Sequence, residues 1–181
     1  MKLSLVIPHV PSIITDKALD RCVESFKGQY DELIIISNDG MGYGPAVNLG
    51  LSYSSGDYIV VSNNDVSLLE GNIRNIVWSQ GFSIPTIEPK PRDYLPRCFF
   101  CIPRYIYKMI LDRDGYFYDP RFETGYFEDD DLICRTKDIA VRHSMGAKIN
   151  HLDGGGLTMK CVGEQFWFDK NQKVFNEKWK G

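Results

Sequence analysis

The chain has few covalent ties available to it. Its five cysteines, Cys22, Cys98, Cys101, Cys134 and Cys161, are odd in number and irregularly spaced, which excludes the paired framework of a small disulfide-stapled scaffold. One C-x-x-C occurs, at Cys98 and Cys101, but no second pair follows at zinc-site spacing. Phe99 and Phe100 lie between the two thiols, so the segment predicts a buried strand rather than a metal or redox centre. No apolar run approaches the roughly 20 residues needed to cross a bilayer, so no transmembrane segment is expected. The stretch Met1 to Pro8 is too short for a signal-peptide core and lacks a cleavage site, so the cytoplasm is the expected compartment. Excess positive charge is also missing. A formal net charge of −3 argues against a nucleic-acid partner held by bulk electrostatics, and a phosphate-bearing ligand would need local cations or a metal. There is no internal repeat and no linker, so residues 1–181 are expected to form one domain with a real core.

What is present is a regular beginning. Leu3 to Ile7 is a short apolar run stopped by Pro8, which predicts a buried strand. Ser12 to Lys27 has roughly helical apolar spacing, with Thr15 or Asp16 as the cap. Leu33 to Ile36 predicts a second strand, Gly44 to Tyr53 a short helix and Tyr58 to Val61 a third strand. Strands this apolar on both faces belong inside a mostly parallel sheet flanked by helices, a Rossmann-like α/β arrangement. In such sheets ligands bind beyond the carboxyl ends of the strands. Pro8 and His9, Asp39, and Asn63-Asn64-Asp65 all stand there.

The second half is less regular. Ser67 to Trp78 predicts a helix, residues 83 to 97, with four prolines, an irregular loop, and Cys98 to Ile102 a strand. Tyr105 to Leu111 predicts a helix closing before Gly115, Glu128 to Arg135 a helix start, Ala140 to Ile149 a strand, and Val162 to Lys180 an aromatic, basic helix. Gly154-Gly155-Gly156 predicts a flexible or ligand-hugging loop.

Several groups carry chemistry. Asp65, just past a buried strand, suits a hard divalent cation bridging two phosphates, although Asn-Asn-Asp is also a good turn. Asp39 suits a nucleobase or ribose, or a turn. Gly44 and Gly50 would let backbone approach a ligand, with the Asn48 amide beside it. In Glu128-Asp129-Asp130-Asp131, like charge and the neighbouring Tyr126 and Phe127 favour a raised pKa, which suits a general base. His151, ahead of the three glycines, suits a metal or phosphate; His143 is its rival.

Taken together, a strand ending in proline, Asp39, Gly-x-x-x-Asn-x-Gly, Asn-Asn-Asp, Glu-Asp-x-Asp-Leu-x-x-Arg and a histidine before glycines resemble the family 2 inverting glycosyltransferases of the GT-A fold over residues 3 to 158. The most telling stretch is Gly115 to Arg135, GYFYDPRFETGYFEDDDLICR, similar to the acceptor-side signature of that family. The resemblance implies that the backbone at Pro8, His9 and Val10, with Asp39, Gly44, Asn48 and Asn64, faces the nucleotide of a nucleotide-sugar donor, and that residues 1–80 form the nucleotide half and 81–181 the acceptor half. It implies that Asp65 and His151 hold Mn2+ or Mg2+, that Asp129 deprotonates a hydroxyl of a glycan acceptor, that Glu128 supports it, and that Arg135 pairs with these acids. Asp131 is then structural and Asp130 faces water. Uridine is the expected base, and Asn63-Asn64-Asp65-Val66 resembles rhamnosyltransferase-like members, with glucose the next choice.

Three departures bear on this reading. Asn63 replaces the first acid of Asp-x-Asp, which leaves one strong carboxylate and implies a water-rich, loosely held ion. The second strand ends in Ser37-Asn38-Asp39 rather than in paired acids. The chain is short, which fits a module of a larger enzyme or a compact virus-type member working in a host cytoplasm. The rival classes are a nucleotidyltransferase, which would want a glycine- and basic-rich loop where His9-Val10-Pro11-Ser12 stands, and a sugar-nucleotide-binding module without turnover.

Overall fold

The computed structural model describes residues 1–88, 98–152 and 164–181. Strands β1 (Leu3–His9), β2 (Glu32–Ser37) and β3 (Tyr58–Ser62) alternate with helices α1 (Ile13–Ser25) and α2 (Tyr43–Tyr53). There follow β4 (Val66–Gly71), a short 3-10 turn (Ile73–Ile76), β5 (Gly81–Glu88), β6 (Phe99–Pro103), α3 (Arg104–Asp114), α4 (Glu128–Arg135), β7 (Ala140–His151) and α5 (Glu164–Trp179). The strands form one sheet in the order β2-β1-β3-β6-β5-β7-β4. β2, β1, β3, β5 and β7 run one way, while β6 and β4 run against them. No helix among the described residues is long and apolar enough to cross a membrane. The expected Gly154-Gly155-Gly156 loop and Cys161 lie outside the described residues.

Side-chain alternation explains how short, wholly apolar strands serve two faces at once. Leu3, Leu5, Ile7, Val60, Phe99 and Cys101 enter one core with Cys22 and Phe26 of the α1 segment. Val6, Ile59, Val61, Phe100 and Ile102 enter the other with Val47, Leu51, Ile106 and Phe117. The thiols of Cys22 and Cys101 belong to this packing; burial pushes each up to about 12, so neither is a nucleophile near neutral pH. The described cysteines are all free.

Four local expectations need correction. The cap of α1 is Ser12, whose hydroxyl accepts from the Thr15 N–H at 3.2 Å, whereas Thr15 and Asp16 lie inside the first turn. β2 is an edge strand rather than an interior one, and Ile35 is 41% exposed. Residues 66–71 form a strand rather than a helix, because β7 offers an antiparallel partner that local spacing does not reveal. Gly71, with φ +83°, turns the chain out of that strand against the Gly146 backbone. The strand β5 runs through Pro85, at the point where its ladder with β7 shifts register between Pro85 and Thr86, so the missing N–H falls at an irregularity. Residues 89–97 of the expected loop lie outside the described residues.

One polar knot fastens the edge. Glu32 accepts from the Ser4 hydroxyl at 2.5 Å, from the Ser55 N–H at 2.7 Å and from the Ser55 hydroxyl at 2.7 Å. Partial burial pushes its carboxyl up, but Ser4, Ser55 and Lys2 outweigh that and bring it from 4.5 to about 2. A folded-state pKa below the unfolded value adds stability above about pH 4.5, which is lost as pH falls through about 2. In urea unfolding, Glu32→Gln is expected to be less stable than wild type by roughly 1–2 kcal/mol at pH 7, with the gap narrowing as pH falls below 4.5.

Candidate active site

The carboxyl ends of β1 and β3, the start of β6 and the end of β7 meet at one edge of the sheet. Register brings this about: Ser62 lies opposite Phe99, and the Asn63 N–H donates to the Cys98 carbonyl at 2.8 Å. Val66 lies opposite His151, and the Leu152 N–H donates to the Asp65 carbonyl at 3.0 Å. Asp65 and His151, distant in sequence, thereby share a hydrogen bond of 3.1 Å from His151 Nε2 to Asp65 Oδ1. Burial alone would lower the imidazole pKa, but Asp65 and Cys98 raise it to about 10, so without another ligand it is a cation paired with buried Asp65. Asn63 Nδ2 lies 3.5 Å from the same imidazole nitrogen, and its buried Oδ1 has no hydrogen-bond partner among the described residues. Among the described residues, no group of three or more His, Cys, Asp or Glu side chains is placed to hold a metal ion. His143 sits in the middle of β7 opposite Ile84, on the exposed surface away from this edge.

The expected nucleotide residues separate into two groups. His9 is buried between Asn64, 2.9 Å from Nδ1, and Asp16 in the first turn of α1, 2.9 Å from Nε2. The Asn64 amide can only donate to Nδ1, which places the ring proton on Nε2, facing Asp16. Pro8 pairs with Ile36 within the sheet, and the Val10 carbonyl accepts from the Thr15 hydroxyl at 2.6 Å. Asp39 is exposed in the turn after β2, while its neighbour Asn38 is buried, with Oδ1 lacking a partner among the described residues.

Gly44 and Asn48 serve a contact that the sequence did not disclose. Asn48 Nδ2 donates to the Tyr118 carbonyl at 2.7 Å, and its Oδ1 accepts from the Tyr118 N–H at 2.8 Å. Both functions of the amide are thus occupied by backbone rather than offered to a ligand. A Cβ at Gly44 would lie 3.2 Å from that of Tyr118 and 3.9 Å from that of Glu128, so glycine lets the acceptor-side segment close on α2. Tyr118 in turn donates its hydroxyl to Asp129 Oδ1 at 2.7 Å. Burial, then the Asp129 charge, raises the Tyr118 phenol well above 10, so it remains a donor. Tyr43 is raised in the same way, by burial and then by Asp129, Glu128, Cys98 and Asp65. Tyr43, its ring centroid 5.8 Å from that of Tyr118, therefore stands within electrostatic reach of both the acids of α4 and the acid of the sheet edge.

Many solved structures share this architecture, three of which illustrate it. S. aureus TarS aligns at TM-score 0.57 and 11% identity over 83% of this chain and 36% of its own. GalNAc-T7, in a structure with UDP, GalNAc and Mn2+, aligns at 0.63 and 12% over 90% and 46%. Glucosyl-3-phosphoglycerate synthase from Mycobacterium tuberculosis, with Mn2+, UDP and glucosyl-3-phosphoglycerate, aligns at 0.55 and 14% over 95% and 79%. The fold is GT-A. Residues 12–78, α1 through the 3-10 turn, also match the family described as Glycosyl transferase family 2. The chain spans less than half of TarS and of GalNAc-T7, and no curated protein sequence matches it.

On this GT-A frame the four acids of α4 have different environments. Glu128 is buried, and Asp129 and Asp130 are half-exposed. Asp131 is fully buried and accepts from Arg135 Nε at 2.7 Å, Lys178 Nζ at 2.6 Å and Trp179 Nε1 at 2.9 Å. Arg135 also pairs with Asp114 at 2.6 Å and donates to the Phe117 carbonyl at 2.5 Å. Lys178 also meets Asp119 at 2.8 Å; burial works against the Asp119 charge, but Arg121 and Lys178 hold its carboxyl well below the usual range. Tyr43 and Tyr118 are the site residues that the sequence did not single out, Tyr118 being signalled only by the aromatic run in Gly115-Tyr116-Phe117-Tyr118; Cys98, expected from its C-x-x-C to belong to a buried strand, lies in the turn just ahead of β6, beside His151.

Asp131→Ala leaves Arg135 and Lys178 short of a buried counter-charge and is expected to cost roughly 3–5 kcal/mol in denaturant unfolding. Asp129→Asn keeps an acceptor for Tyr118 and is expected to stay within about 1 kcal/mol of wild type.

Proposed function

We propose that this chain is a metal-dependent inverting glycosyltransferase that moves a sugar from a nucleotide-sugar donor, a UDP-sugar with rhamnose or glucose, to a hydroxyl of a glycan acceptor. The observation that carries the reading is that Tyr43, packed near Tyr118, lies within electrostatic reach both of Asp65, hydrogen-bonded to His151 at the sheet edge, and of Asp129, hydrogen-bonded to Tyr118. The family 2 match over residues 12–78 and the GT-A neighbours holding UDP with Mn2+ or Mg2+ support it.

The donor half, residues 1–80, would seat the nucleoside along Pro8, His9, Val10 and Asn64. The buried acceptor on Asn38 and the exposed carboxylate of Asp39 lie at the next strand end. A carboxylate and an imidazole nitrogen 3.1 Å apart, beside the carbonyl oxygen of Asn63, which has no partner among the described residues, form an oxygen-and-nitrogen donor set that suits Mn2+ better than Mg2+. When bound there, a divalent ion would neutralise charge on the diphosphate as the sugar leaves. Asp129, its carboxylate held by the Tyr118 phenol, takes the proton of the acceptor hydroxyl. That oxygen attacks the anomeric carbon from the face opposite the diphosphate, the bond from carbon to diphosphate oxygen breaks, and the configuration inverts. Glu128, buried one residue earlier, supports the acceptor side.

A second reading, sugar-nucleotide binding without turnover, has one observation in its favour: with Asn63 in place of an acid, Asp65 is, among the described residues, the one carboxylate hydrogen-bonded to His151.

Thermal unfolding should be followed with UDP, and with UDP-glucose, UDP-rhamnose, UDP-galactose, UDP-N-acetylglucosamine and dTDP-rhamnose, with and without Mn2+. UDP plus Mn2+ is expected to stabilise the chain by ligand linkage. If Asp65→Ala retains the metal-dependent part of the shift, the metal assignment is wrong. Asp129→Asn is expected to keep the shift and to lose roughly 100-fold or more of the metal-dependent donor hydrolysis. Stabilisation without turnover of any donor favours the binding module.

A further inference from the structure

The turn that delivers Asp129 is strained. Thr124, Tyr126 and Phe127 have φ of +64°, +75° and +67°, a left-handed conformation that side chains with a Cβ rarely adopt. Phe127 is the N-cap of α4, and its side chain makes no capping hydrogen bond. Such a turn persists only where its surroundings over-determine it.

On one side the Thr124 carbonyl accepts from the Tyr43 N–H at 2.8 Å, at the start of α2. Gly42 lies so close that a Cβ there would stand 2.7 Å from the Thr124 nitrogen. On the other side stands Asn171 of α5, which is fully buried. Its Nδ2 donates to the carbonyls of Glu123 at 2.7 Å, Gly125 at 2.6 Å and Tyr126 at 3.2 Å. Three converging carbonyls fix which end of the amide faces them, since the oxygen would be repelled. Around this contact Phe168 packs on Tyr126 and Phe127, Phe175 packs on Phe127, and Lys170 meets Glu123 at 2.8 Å.

We propose that Asn171 is a positioning residue: by gathering three carbonyls of the left-handed turn it fixes the entry of α4 and so aims Asp129 at the acceptor hydroxyl. The proposal rests on the reading of Asp129 as the base. Asn171 acts through backbone alone, far from Asp129 in sequence, and its effect on the reaction is a matter of aim rather than of chemistry.

The test uses the full chain with Mn2+ and whichever panel donor wild type hydrolyses fastest. Asn171→Ala is expected to lower kcat roughly 10- to 100-fold, with the donor KM and the thermal shift by UDP plus Mn2+ unchanged. Amide exchange at Tyr43 and Gly125 should quicken, while β1 and β3 keep their protection. Adding Thr124→Gly, which accepts a left-handed φ without strain, should restore part of the kcat and slow that exchange again. A purely structural defect elsewhere gives no such rescue. Wild-type exchange at Tyr43 and Gly125, or wild-type kcat, in Asn171→Ala overturns the proposal. If Asn171→Ala does not fold, Asn171→Ser is read by the same criteria. A wild type inert toward every donor defeats the transferase reading instead, and the exchange pattern then decides the hold of Asn171 on the turn.

Discussion

Two hydrogen bonds, both made by the Asn48 amide to the backbone of Tyr118, couple the two halves of this molecule. α2 belongs to the regular, alternating part of the chain, and Tyr118 to the irregular part. Because one planar amide supplies donor and acceptor together, the contact fixes orientation as well as distance. The Tyr118 ring then stands between the sheet and α4, and its hydroxyl sets the direction of the Asp129 carboxylate. The packing of Gly44 on Tyr118 and Glu128, and the exposure of Tyr43 to acids from both sides, follow from that placement.

The acidic helix shows how four adjacent carboxylates can coexist. Asp131 is neutralised by Arg135 and Lys178, and Trp179 completes its shell, so it acts as the anchor of the helix. Asp129 and Asp130 keep partial access to solvent, where repulsion is cheaper to bear. Their position in the first turn places them at the positive end of the helix dipole. Burial thus sorts an apparently uniform run into two buried acids, Glu128 and Asp131, and two half-exposed ones, Asp129 and Asp130.

Much of the first half was legible in the sequence. Strands β1 and β3 announce themselves as short apolar runs stopped by polar turns, and their ends carry the residues that later meet. Asp65, Asp129 and His151 stood out because each follows or opens an element abruptly. What was not legible depends on distant pairing. β4 resembles a helix until β7 is beside it, and Pro85 argues against a strand until the register shift is seen. The edge position of β2 is set by sheet order, which composition does not encode. Asn48 looks like a ligand-facing amide until Tyr118 arrives from 70 residues away, and Asn171 is one polar residue among many in an amphipathic helix.

The placement of α5 also implies a timetable. A chain made from its N-terminus can pair β1, β2 and β3 as soon as residue 62 is free, because those contacts are close in sequence. The turn before α4 has no such independence: Asn171, Lys178 and Trp179, which hold it and its anchor acid, are synthesised 40 residues or more later. A nascent chain would therefore own its first three paired strands well before the turn ahead of α4 was held in place.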